Sequence, residues 1–130
     1  MIVYIETSAA AKLLFREAET DALKVWLDDL AASEVPMYSS ILLETELRRV
    51  AVRESAPQAA VTAVLEHFNV VELDRGIWTT AGLLPGANLR SLDALHVAVA
   101  LQIGATVMAS YDARQIDAAR EAGLSTISPA

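Results

Sequence analysis

The sequence predicts an α/β domain with a mostly parallel sheet. Three observations carry that expectation. Short apolar runs of strand length alternate with longer stretches of helical period along all 130 residues. The breaks between them fall at Pro36, Pro57, Pro85, Gly104 and Gly123, or at Ser, Thr and Asp residues suited to start helices. Hydrophobic residues make up 54% of the chain and aromatics only 5%, so a sizeable core is built from Ala, Leu, Val and Ile, and disorder is disfavoured. The length suits a single domain over residues 1–130.

The elements follow in order. Ile2–Ile5 reads as a short buried strand, with Glu6 at its C-terminal end. Thr7 or Ser8 caps a helix through Ala9–Phe15, where Leu13, Leu14 and Phe15 are core candidates. Lys12 and Arg16, four apart, give that helix a basic, solvated stripe. Thr20 opens a second helix, in which Leu23, Trp26, Leu27 and Leu30 keep the helical period. After Pro36, Met37–Ser39 is a brief strand. Ser39 or Ser40 caps the helix from Ile41 to Glu54, with Leu43, Leu47 and Val50 on one apolar stripe and Glu46 at its edge. Glu44 and Arg48 are spaced for a surface pair of roughly 0.3 kcal/mol. Past Pro57 a helix spans Ala59–Phe68, then Val70–Leu73 is a strand. Asp74 caps a helix through Ile77 and Trp78 to Leu83, and Pro85-Gly86-Ala87-Asn88 is a loop. The stretch from Leu89 to Leu101 is apolar nearly all round, so its helix belongs inside. It starts after Ser91 as cap, places Asp93 in its first turn and ends at Gly104. Thr106–Ala109 is an apolar strand, Asp112 caps a helix over Ala113–Ala122, and Ser125–Ile127 is the last strand.

Charge and composition narrow the function. Ten Lys and Arg against 17 Asp and Glu give a formal net charge of −7, which argues against a non-specific nucleic-acid binder with a basic surface. A nuclease whose acids hold divalent cations stays open. No cysteine is present, so disulfides and thiolate metal sites are excluded. Met1–Ile5 lacks the basic start and long apolar run of a signal peptide, and the apolar run at 93–103 is interrupted by Asp93, His96 and Gln102. A cytoplasmic protein without a membrane partner is expected.

Ligands of open α/β sheets bind beyond the carboxyl ends of the strands. Glu6 and Asp112 follow strands directly, Asp93 starts a helix, and Glu46 lies in the second turn of another. Four carboxylates from distant parts of the chain are therefore expected at one edge. Clustered carboxylates repel and raise one another's pKa values, and a hard cation relieves this. Oxygen donors suit Mg²⁺ or Mn²⁺, while His67 and His96 have no zinc-ligand spacing. Taken singly, each acid is explained equally by capping or surface placement. A receiver domain and a haloacid-dehalogenase-like phosphatase are disfavoured, because the first strand is followed by Glu6-Thr7 and not by an acidic pair or Asp-x-Asp.

Four segments carry a family resemblance. Tyr4-Ile5-Glu6-Thr7-Ser8-Ala9, Ser39-Ser40-Ile41-Leu42-Leu43-Glu44-Thr45-Glu46-Leu47, Leu89-Arg90-Ser91-Leu92-Asp93-Ala94-Leu95-His96 and Ser110-Tyr111-Asp112-Ala113-Arg114 resemble the successive acidic segments of PIN domains. Within that family the chain is most similar to VapC-type toxins of bacterial type II toxin–antitoxin pairs. The resemblance implies a three-layer α/β/α fold and a Mg²⁺- or Mn²⁺-dependent endoribonuclease. It implies Glu6 and Asp93 as direct metal ligands, with Glu46 and Asp112 holding a second metal or its waters. Thr7 and Ser110 would orient the carboxylates. Lys12, Arg90 and Arg114 are the candidates for RNA phosphate contact. The resemblance further implies a homodimer and a cognate antitoxin, for which the arginines of the Glu46 helix are one candidate surface. The family carries Asp where this chain has Glu6, so retained metal binding with weakened catalysis, or an inactive binding module, is the alternative expectation. His96 is expected to be structural, and Trp26 and Trp78 are expected to be core or dimer contacts.

Overall fold

The computed structural model describes residues 1–130. Five strands form one parallel sheet: β1 (Val3–Ile5), β2 (Met37–Ser40), β3 (Asn69–Val71), β4 (Val107–Ala109) and β5 (Ser125–Ile127). Their order is β3-β2-β1-β4-β5. The chain thus steps outward from β1 in one direction, then returns to its other side at β4. Val3, Tyr4 and Ile5 pair with Val107, Met108 and Ala109. This reversal makes the gap beyond β1 and β4 the topological switch point, where such sheets form clefts.

Seven helices cover the two faces. α1 (Thr7–Leu14), α2 (Thr20–Ala32), α3 (Ile41–Arg53) and α4 (Gln58–Leu65) precede α5 (Arg75–Leu83), α6 (Ser91–Gln102) and α7 (Ala113–Glu121). Side chains of a strand alternate between faces, and β1 shows the consequence. Val3 and Ile5 join Leu23, Leu43, Leu47 and Val61 in one core, whereas Tyr4 joins Ile77, Leu95, Val99 and Met108 in another. The result is the three-layer arrangement. Residues Ala94–Ala100 of α6 are all buried, as a helix apolar on every side requires. No helix is long and apolar enough to cross a membrane.

Several boundaries differ from the sequence reading, each for a local reason. Glu6, not Thr7 or Ser8, caps α1: its backbone is extended and its side chain accepts from the Ser8 amide. α1 ends at Leu14, so Arg16 lies beyond it, pairs with Asp21 and shares no helical stripe with Lys12. Thr20 opens α2 as the sequence suggests, with Glu19 at the cap position making no side-chain cap bond and the Thr20 hydroxyl donating to the Lys12 carbonyl. Arg90, not Ser91, occupies the cap of α6, without a side-chain bond. β3 runs over Asn69–Val71 and α4 ends at Leu65, because the Phe68 and His67 amides already close turns onto Leu65 and Val64. The Asp74 and Asp112 caps form as the sequence suggests, and so does the Glu44–Arg48 pair at 3.0 Å. Gly104 and Gly123 take positive φ after α6 and α7, the left-handed stop that an L side chain resists.

Candidate active site

Glu6, Glu46, Asp93 and Asp112 line one cleft of about 280 Å³ at the C-terminal edge of the sheet, together with Arg90, Ser91, Leu92 and Arg114. Each acid arrives by a different route. Glu6 directly follows β1, and its amide donates to the Ala109 carbonyl of β4, which fixes it at the switch point. Asp112 follows β4, Asp93 lies in the first turn of α6, and Glu46 lies in α3. Of the expected phosphate contacts, Arg90 and Arg114 reach the cleft, and neither guanidinium pairs with a carboxylate there. Lys12 does not reach it. Its ammonium bonds to Glu17 and, at 2.9 Å, to Glu19, and lies 4.5 Å from the centre of the Tyr111 ring. Burial pulls the Lys12 pKa down, but the two glutamates more than offset this and hold it above its usual value. Lys12 is a structural tie between α1 and the segment before α2.

Hydroxyls anchor the carboxylates. Glu6 Oε2 accepts from the Ser8 amide at 3.1 Å, from Ser8 Oγ at 2.5 Å and from Ser110 Oγ at 2.7 Å. Ser110 Oγ in turn accepts from the Asp112 amide at 3.1 Å. Thr7 Oγ1 donates to Glu46 Oε1 at 2.9 Å, not to Glu6. Asp112 Oδ1 caps α7 by accepting from the Arg114 amide at 2.9 Å and the Gln115 amide at 3.5 Å. The buried Gln115 side chain reaches across to donate to the Asp93 carbonyl at 3.1 Å, so the α6 and α7 starts are tied together. Its Oε1 is left without a protein partner.

The electrostatics follow from this placement. Burial pushes the Glu6 pKa up, against the lowering effect of the Ser8 hydroxyl, His96 and Ser110. Burial also raises Asp93, and the neighbouring Asp112 carboxylate adds to the rise. Both effects disfavour an uncompensated negative charge.

The residues fit a hard divalent cation by their donor chemistry. All four candidates are carboxylates, and each keeps an oxygen with no hydrogen-bond partner: Oε1 of Glu6, Oε2 of Glu46, Oδ2 of Asp112 and both oxygens of Asp93. No three of the His, Asp and Glu side chains stand close enough together to ligate one ion directly as they are. A cation that keeps several waters tolerates such spacing, as Mg²⁺ does.

Four residues do more than their places in the sequence signal. Ser8 reads as a helix start, yet its hydroxyl serves the nearby Glu6. Tyr4 reads as a strand residue and Ser40 as a helix cap, yet Tyr4 is fully buried and its hydroxyl lies 3.1 Å from Ser40 Oγ. His96 is buried as expected, but it touches Glu46 as well as Tyr4. Trp26 packs at the edge of the first core, while Trp78 stays half exposed on α5.

Comparison with known proteins agrees with the fold and the motifs. The sequence profile of the PIN domain matches residues 3–121. Ribonuclease VapC35 of Mycobacterium tuberculosis is 40% identical over 134 aligned positions, which cover 98% of this chain and 97% of the relative. Ribonuclease VapC47 of the same species is 36% identical, again over 98% and 97%. Among solved structures, VapBC2 from Rickettsia felis bound to a promoter DNA fragment is similar with a TM-score of 0.75 at 16% identity, covering 98% of both chains. Mycobacterium tuberculosis VapC20, described as a sarcin–ricin loop cleaving toxin, gives 0.72 at 21% identity over 98% of this chain and 99% of that one. With the profile spanning nearly the whole chain and relatives this close, the chain belongs to the PIN-domain family, and within it to the VapC type.

Proposed function

We propose that this chain is a divalent-metal-dependent endoribonuclease, the toxin of a type II toxin–antitoxin pair, with residues 1–130 forming one PIN-like domain. One observation carries the reading. Four carboxylates from β1, α3, α6 and the β4–α7 turn line a single cleft, each with an unpartnered oxygen. The names of the VapC relatives support ribonuclease chemistry, and the VapBC neighbours support an antitoxin partner. Glu6 and Asp93 would hold Mg²⁺ or Mn²⁺ directly, with Glu46 and Asp112 holding a second ion or its waters. A cation bound there supplies positive charge against the phosphate and acidifies water.

The chain's own residues do the rest. Without a cation, four carboxylates repel an RNA phosphate. Arg90 and Arg114, at the rim, give the backbone its positive contact and set its register without reading bases. Ser8 and Ser110 hold Glu6, Thr7 holds Glu46, and the helix cap holds Asp112. Hydrolysis forms one bond from water oxygen to phosphorus and breaks one ester bond, with a proton passing to the leaving oxygen.

A second reading has its own observation. Glu6 is one methylene longer than the family's Asp, and its carboxylate is drawn onto Ser8 and Ser110. That favours a weakened enzyme, or a module that binds antitoxin and RNA without cutting. The test is cleavage of a mixed RNA pool by antitoxin-free protein with Mg²⁺, with Mn²⁺ and with a chelator, beside Asp93→Asn. Metal-dependent cleavage that disappears in Asp93→Asn supports the enzyme. Absence of cleavage in both the parent and Glu6→Asp, with antitoxin binding intact, supports the module.

A further inference from the structure

His96 lies three residues after Asp93 and is almost fully buried, and nothing in the hydrolytic reading assigns it a task. Both of its ring nitrogens are engaged. Nδ1 is 2.6 Å from the Tyr4 hydroxyl, and Nε2 is 2.7 Å from Glu46 Oε1. Tyr4 Oη lies 3.1 Å from Ser40 Oγ, and the Tyr4 and His96 rings meet edge to face at 5.7 Å. Ser40, Tyr4, His96 and Glu46 therefore form one line from the middle of the sheet to the cleft.

The protons along this line have one consistent arrangement for a neutral ring. A carboxylate only accepts, so Nε2 must carry its hydrogen toward Glu46. Nδ1 is then bare and accepts from the Tyr4 hydroxyl. Tyr4 has one proton, and the 2.6 Å approach to Nδ1 takes it in preference to the 3.1 Å approach to Ser40 Oγ, so the Ser40 hydroxyl turns its own proton toward the Tyr4 oxygen instead of accepting from it. The reverse order sets a bare Nε2 lone pair against a carboxylate oxygen at 2.7 Å, which is repulsive.

We propose that Tyr4 and His96 are positioning residues for Glu46. They fix the imidazole as the Nε2–H tautomer, anchor Oε1 of Glu46 jointly with Thr7, and leave Oε2 to the cleft. Because His96 shares a helix with Asp93, the same line sets the spacing between Glu46 on α3 and Asp93 on α6. A donor aimed at a ligating carboxylate orients it and tunes its basicity. The geometry stands by itself, and its catalytic consequence rests on the nuclease reading.

The test has two parts. Long-range ¹H–¹⁵N correlation on histidine-labelled, metal-free protein with neutral rings reads the tautomer directly, and His96 is expected protonated at Nε2 and bare at Nδ1. Mn²⁺ titration and RNA cleavage then compare Tyr4→Phe, His96→Leu and His96→Gln, with thermal melts confirming folding. His96→Leu is expected to lose on the order of 10- to 100-fold in Mn²⁺ affinity or kcat, with KM for RNA little changed. His96→Gln, whose amide N–H still faces Glu46, recovers most of that loss, and Tyr4→Phe falls between it and the parent. An Nδ1–H tautomer in the parent overturns the proposal. So do folded Tyr4→Phe and His96→Leu proteins with parental Mn²⁺ affinity and kcat, or a His96→Gln protein as poor as His96→Leu. A parent that neither binds Mn²⁺ nor cuts RNA defeats the nuclease reading instead, and the tautomer then decides the geometry alone.

Discussion

Glu6→Asp should weaken the fold slightly and strengthen the reaction. The substitution withdraws the carboxylate by roughly 1.5 Å, one bond length. The bonds from Ser8 Oγ and Ser110 Oγ, now 2.5 and 2.7 Å, would stretch to about 4 Å unless the hydroxyls rotate, beyond hydrogen-bonding range. Hydrogen bonds to a charged group contribute about 1.5–3 kcal/mol each. Two effects oppose that loss. Asp is among the favoured helix caps, so the bond from the Ser8 amide persists, and the rotating hydroxyls recover part of the rest. A net destabilisation of about 1–2 kcal/mol is expected. Catalysis moves the other way. A misplacement of about 1 Å in a reacting constellation costs up to about 100-fold, so returning the carboxylate to the family's position should raise single-turnover cleavage by about 10- to 100-fold. The assay is cleavage of end-labelled RNA in Mn²⁺, with thermal unfolding of the same preparations. Opposite signs in the two measurements are the signature. A folded Glu6→Asp protein whose cleavage is unchanged or lower would refute the argument that Glu6 attenuates the site.

Three further outcomes follow from the site. Saturating Mg²⁺ or Mn²⁺ should stabilise the native state by about 2.7 kcal/mol at 100 times Kd, a Tm rise of about 10 °C for a chain of this length, and Asp93→Asn should lose most of it in a melt series. Burial lifts the Glu6 and Asp93 pKa values, so between the ordinary carboxylate range and the raised values the metal-free native state binds more protons than the unfolded chain. Its stability therefore falls as pH rises through that window, and Glu6→Gln should flatten that slope in urea titrations. Asp112→Ala should cost about 1 kcal/mol through loss of the α7 cap as well as activity, whereas Asp112→Asn keeps the cap and loses only activity, as paired melts and cleavage assays would show.

Much of this molecule was legible in the chain. Alternating short apolar runs and helical periods foretold the parallel sheet, and the all-round apolar character of 92–101 foretold the burial of α6. Glu6, Asp93 and Asp112 were placed by rule, since residues after parallel strands and at helix starts share one edge. What stayed hidden depends on contacts between distant positions. His96 meets Tyr4 across 92 positions and Glu46 across 50, and no periodicity encodes that. Lys12 looked like a solvated surface charge because Arg16 stood four residues on. It is buried, paired with Glu17 and Glu19 from the segment after α1 and set over the Tyr111 ring, contacts that spacing does not encode. Strand ends were the least legible, because in strands of three or four residues a single turn bond sets the boundary.

Whether the four acids make a cation site is read by diffraction from Mn²⁺-soaked crystals at the manganese absorption edge. An anomalous peak is expected in the cleft, with Glu6 and Asp93 as ligands and Glu46 and Asp112 reaching it directly or through water, and no such peak in Asp93→Asn. A strong peak elsewhere with none among these carboxylates, in a protein that cleaves RNA, would contradict a cation site there.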